Sequence, residues 1–214
     1  MSNLKNFVIY SLAISSLFLG LILNENSSGG AKMDYEYLFP FVEEFSLNLK
    51  VGLKSFLNNE GSIIHSPVFY ILLGSIYSLS NNIFVIKIFY ILISSLLPYL
   101  FYCILRNKFS TNKKILFLFS LLIFLSPYFR SSAIWLLGDN LSLIFFGLSI
   151  FYFNKIKKYE ESSFKFSFFC LFFLILACYI RYYYCLFSIY YLIFFFKSLK
   201  KKDFFLIVSI SAIL

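Results

Sequence analysis

The sequence predicts an all-α integral membrane protein, a multi-span helical bundle with a large first exported loop that carries amphipathic helices. Two observations predict it. Charged residues make up 14% of the 214-residue chain and the mean hydropathy is +0.82, whereas a soluble domain carries about a quarter charged residues. The apolar residues also gather in long runs separated by short segments rich in lysine and arginine, the pattern of helices threaded through a bilayer. The formal net charge of +9 therefore points to the anionic lipid leaflet rather than to nucleic acid, because the cations sit in the loops between runs. Cys103, Cys170, Cys178 and Cys185 lie inside apolar runs without metal-ligand spacing and read as buried hydrophobes.

The elements follow in order. Lys5 precedes an apolar run to Leu23 that lacks an Ala-x-Ala cleavage site, so an uncleaved first span at about residues 6–23 is expected and the segment after it is exported. That exported loop, residues 24–82, is acidic to His65: Glu25, Asp34, Glu36, Glu43, Glu44 and Glu60 stand against Lys32, Lys50 and Lys54. It opens with a flexible linker, Ser27-Ser28-Gly29-Gly30, and then Met33-Asp34-Tyr35-Glu36-Tyr37, two acids flanked by rings that could seat a sugar or a lipid-linked substrate. The plainer reading is a solvated acidic loop. Phe41 to Phe56 reads as one amphipathic helix on the membrane surface, with Phe45, Leu49, Leu53 and Phe56 on one face.

Pro67 to Leu79 is short for a span, and charge decides how to count it. Three later segments are basic: Arg106 to Lys114, Asn154 to Lys165 and Lys197 to Asp203. All three fall in the cytoplasm if Pro67 to Leu79 is interfacial or re-entrant, and all three fall outside if it crosses. Spans are then expected at about 83–105, 115–129, 141–153, 166–180, 182–196 and 204–214. The stretch from Phe166 to Phe196 would measure ~46 Å as one helix, beyond a core of ~30 Å, so a hairpin turn is placed at Tyr179-Ile180-Arg181. The run Phe204 to Leu214 is too short to cross and reads as a seventh span in a chain whose C-terminal part is missing. Apart from Lys87, no charged residue lies within a predicted span, which argues against a transporter or flippase of lipid-linked sugars, since carriers place ionisable groups near the midplane.

This topology brings Asp34, Glu36, His65, Arg130, Asp139 and Arg181 to one exported face. The order of features resembles the GT-C class of membrane glycosyltransferases, which use polyprenyl-phosphate-linked sugars: a first span, an acidic exported loop, His65-Ser66-Pro67-Val68-Phe69-Tyr70, a long span, a basic turn, and Ser126-Pro127 leading through Arg130 to Asp139. Met33-Asp34 with Pro40 downstream, the helix start at Asp139, and Arg181 after an apolar span are similar to features of the dolichyl-phosphate-glucose alpha-1,2-glucosyltransferases. The resemblance implies a hexosyl transfer at the outer or lumenal face, from a lipid-linked sugar donor to a lipid, glycan or protein acceptor, in glycan or cell-envelope biosynthesis. Asp34 would then be the catalytic acid of the first exported loop. Members often have two adjacent acids there, whereas Tyr35 separates Asp34 from Glu36, so either could be the base. His65, Asp139 and Arg181 would contact substrate, with Arg181 near the lipid phosphate, and Arg130 would add a cation there. His65 with Asp139 is an alternative divalent-metal pair, and with no Gly-rich phosphate loop no nucleotide cofactor is expected. The competing reading is a non-catalytic or truncated remnant of such an enzyme.

Overall fold

The computed structural model describes residues 2–58, 66–156 and 163–213. They form twelve α-helices and two short 3₁₀ turns, with no strand among the described residues. The first expected span corresponds to α1 (Ser2–Ile22), and the segment after it folds into α2 (Ala31–Leu47), α3 (Leu49–Asn58) and α4 (Val68–Ser80). A long apolar helix of two segments follows, α5 (Ile83–Ser94) and α6 (Leu96–Lys108). Next come α7 (Lys113–Leu121), a 3₁₀ turn and α8 (Pro127–Ile134), then α9 (Gly138–Ile156), α10 (Ser163–Ile180), α11 (Leu186–Ser198) and α12 (Lys201–Ile213). Two helices, Leu4–Ile22 and Ile83–Lys108, are long and apolar enough to cross a membrane. A third candidate is the pair Lys113–Leu125 and Pro127–Ile134, bent by 64°, if it counts as one span. At 13 residues, α4 is a short apolar helix that does not reach this length.

Polar side chains at the junctions explain where these helices stop. Asn81 ends α4 in the left-handed conformation (φ 47°) and its N–H bonds the Tyr77 carbonyl, while the Asn82 side chain accepts the Phe84 N–H at 2.8 Å to start α5. Asn112 caps α7 through the Lys114 N–H at 3.0 Å. Ser126 caps α8, whose first residue is Pro127, a position where the missing amide costs nothing.

The single amphipathic helix expected over Phe41 to Phe56 is instead two helices. The break is at Asn48, whose backbone is extended (φ −164°) and whose side chain accepts the Lys50 N–H at 2.8 Å. One asparagine thus ends α2 and caps α3. Phe45 and Phe56 stay together, their ring centroids 6.4 Å apart, but Leu49 is exposed. Both rings turn inward with Phe41 and Tyr70 into a buried aromatic core rather than outward. Two glycines let the layers approach: a Cβ on Gly52 would lie 2.3 Å from the Phe45 ring, and one on Gly74 would lie 3.0 Å from the Val42 carbonyl oxygen.

Helix direction alternates through the second half of the chain. In α6 and α9, Gly147 faces Leu100 and Ile104, and Lys108 and Lys155 border the same cavity, so these helices run parallel. Against α9, α10 runs the opposite way, since Gly138 meets Ile180 while Tyr152 meets Phe166 and Phe169. The chain breaks after Ile180, where Arg181 is extended, and α11 returns with Phe187 on Phe146 and Phe194 on Phe153. Arg106, Lys108, Lys155 and Lys197 are thereby gathered at one end of the bundle. Asp139 and Arg181 lie at the other.

Candidate functional site

The site starts from a close packing contact. A Cβ on Gly138 would lie 2.8 Å from Ile180 Cγ2, so the Ile180 side chain packs directly on the bare backbone of α9's first turn. The next residue on each strand of chain is charged, and the two pair: Arg181 Nη2 donates to Asp139 Oδ2 at 2.8 Å. Asp139 sits in the first turn of α9, where the helix dipole favours an anion. The loop beneath it is fixed from three sides. Tyr90 donates to the Leu137 carbonyl, Ser132 Oγ donates to the same oxygen at 2.9 Å, and the buried Asn140 amide donates to the Phe129 carbonyl at 2.9 Å. Leu136 takes φ 54° there, a conformation that L-residues adopt only when the surroundings hold it.

Tyr70, on α4, connects this pair to the acidic segment electrostatically. Its phenol lies within the electrostatic reach of Arg181, Asp34 and Asp139 together, and burial, with the two carboxylates adding, pushes it up to about 12, Arg181 pulling the other way. Asp34 thus acts on Tyr70 along with Asp139 and Arg181. Glu36 does not: two residues further along α2, it faces Lys32 at 3.7 Å, and both side chains are at least half exposed.

Arg130 is engaged elsewhere. Its Nε donates to Glu25 Oε1 at 2.7 Å and its Nη2 to Glu25 Oε2 at 2.5 Å, while Nη1 reaches Ser16 Oγ at 2.9 Å and Nη2 the Ser16 carbonyl at 3.1 Å. This fork ties α8 to the end of α1 and holds the Glu25 carboxyl below the ordinary carboxylate range, with Ser27 adding a hydrogen bond. Nor is the serine-glycine segment a loose linker at its start. Ser27 Oγ lies 3.2 Å from Ser131 Oγ, and the Ser28 N–H donates to that same oxygen at 3.0 Å.

An apolar groove of about 430 Å³ opens beside Asp139. Ser126, Tyr128 and Asn140 border it near that carboxylate, and it continues between α6 and α9 past Leu100 and Gly147 to Ile104 and Ile150. His65 lies outside the described residues, so its proposed pairing with Asp139 has no geometry. Among the described residues no three His, Cys, Asp or Glu side chains gather as a metal site.

Comparison with known proteins finds no matching family model, no matching curated protein and no matching solved structure.

Several residues that build this end carried little signal in the sequence. Glu25 was one of six acids in its segment, and only folding shows that it meets Arg130. Tyr70, one of 17 tyrosines, was indistinguishable from the compositional excess of aromatic residues. Asn140, buried next to Asp139, could have been found as a polar residue at the start of an apolar run.

Proposed function

We propose that this chain is a multi-pass membrane glycosyltransferase of the GT-C kind, moving a sugar from a polyprenyl-phosphate donor to an acceptor on the exported face with inversion. The observation that carries the reading is the Asp139 and Arg181 pair at the mouth of an apolar groove, with Tyr70 under the charges of both and of Asp34. The groove runs along the helices away from that mouth, the direction a prenyl chain would take. With the basic helix ends in the cytoplasm, these four residues face outward.

In this reading the sugar C1 to phosphate bond breaks through an oxocarbenium-like transition state as an acceptor hydroxyl attacks from the opposite face. Asp34, exposed on α2, accepts the hydroxyl proton, a role typically contributing about 10² to 10⁴ in rate. The departing phosphate gains negative charge, and Arg181 stabilises that charge more in the transition state than in the bound donor. Asp139 holds the guanidinium in place. Arg130 keeps α1 against α8 and is not assigned to the donor.

The test is sugar transfer by the purified chain in membranes supplied with polyprenyl-phosphate sugars. Asp34→Asn should lower transfer by at least about 10² while helical content and membrane insertion are unchanged, and Glu36→Gln should leave transfer near the parent level. Full activity in Asp34→Asn would overturn Asp34 as the base.

A further inference from the structure

Lys87 is the one charged residue within a predicted span, and the transfer reading gives it no task. It stands one turn into α5, half-buried, at the same end as Asp139. Its Nζ lies 4.4 Å from the centroid of the Tyr35 ring and 4.2 Å from that of Trp135, a cation held between two aromatic faces. Lys32 Nζ approaches the same indole at 5.9 Å. The indole is itself fixed, because its Nε1 donates to the Glu25 carbonyl at 2.7 Å. Among the described residues no carboxylate lies within ion-pair distance of Lys87, while Glu36 offsets Lys32.

Rings lower the cost of holding an ammonium away from water, but they bring no net negative charge. Lys87 also lines a cleft of about 500 Å³, with the polar Asn24, Tyr77, Asn81 and Asn82 and the apolar Leu21, Ile83 and Phe84. Asn82 spends its side-chain oxygen on the Phe84 N–H, which leaves its NH₂ as the group a ligand would meet. Amide and hydroxyl donors around one fixed ammonium suit an oxyanion with several acceptor oxygens.

We propose that this cleft is a phosphoryl-binding site, with Lys87 as its fixed cation and the asparagine amides as its donors. The ligand is a phosphate monoester or diester, supplied either by a lipid headgroup or by a soluble phosphate. The proposal does not rest on sugar transfer.

Trp135 is the only tryptophan, so its fluorescence reports on the cage directly. The full chain in neutral detergent would be titrated with inorganic phosphate at ionic strength held constant with potassium chloride. In parallel, it would be placed in nanodiscs of phosphatidylcholine with or without phosphatidic acid. A saturable emission change with phosphate assigns a soluble ligand, and a change only with phosphatidic acid assigns a headgroup. In either arm Lys87→Met should weaken the response about tenfold or more, Lys87→Arg should retain it, and Asp34→Asn should leave it unchanged. Lys87→Gln replaces Lys87→Met if the latter does not fold. No saturable change with either probe, or equal affinity in the neutral variants and the parent, would overturn the proposal.

Discussion

Two acid and arginine pairs lie at the same end of this bundle, and they are built differently. Glu25 and Arg130 meet as a two-point fork, backed by Ser16 and Ser27, with side chains 23% and 18% exposed. Arg181 Nη2 lies 2.8 Å from Asp139 Oδ2, the aspartate is 40% exposed, and it borders the groove. The first pair joins elements distant in sequence. The second leaves its carboxylate open to a neighbouring ligand. An arginine next to an apolar run thus has no fixed meaning, and its role depends on how much of its partner solvent and cavities can still reach.

The comparison can be sharpened by separating activity from stability. Under the proposed transfer, Arg181→Gln should have the largest effect on activity, a fall of about 100-fold, or ~2.7 kcal/mol of transition-state stabilisation, with little change in thermal midpoint. Equal losses of activity and stability would make the Asp139 pair a second staple. Glu25→Gln should do the reverse, destabilising the protein by about 2 kcal/mol through hydrogen bonds lost to a charged group, with the turnover of the folded fraction retained. The Glu25 pair also predicts a pH dependence. Because the folded state lowers the Glu25 pKa from 4.5, its contribution is complete above that value and is lost as the pH falls through the lower folded value. Thermal midpoints between neutral and acid pH should therefore drop in the parent, and Glu25→Gln should lack that part of the drop. Smallest is Gly138→Ala, at about 1 kcal/mol: the new methyl would meet Ile180 Cγ2 at 2.8 Å, so α9 and α10 must separate slightly, and transfer should fall more than stability does.

Helix boundaries were legible where a polar residue interrupts an apolar run. The Asn81-Asn82 junction and the end of α10 at Ile180 both fall where the composition changes. The break at Asn48 was not legible, because Phe45, Leu49, Leu53 and Phe56 keep helical spacing across it and periodicity is blind to a single capping side chain. At the candidate site, Asp139 and Arg181 stood out as charges bordering apolar runs. The pairing of Asp139 with Arg181 and the diversion of Arg130 to Glu25 depend on contacts across 42 and 105 residues, which spacing does not encode. Lys87 was visible as the one charge inside an expected span, but the two rings that hold it come from different elements.

The Glu25 and Arg130 fork has a consequence for how the chain is made. Its partners are 105 residues apart, and at about 5–20 residues per second of synthesis the carboxylate waits roughly 5 to 20 seconds for its guanidinium. During that interval α1 has none of its contacts to α8, and Glu25 stays hydrated at the end of its helix. The ribosome therefore sets the earliest moment at which the first helix can be locked to the rest.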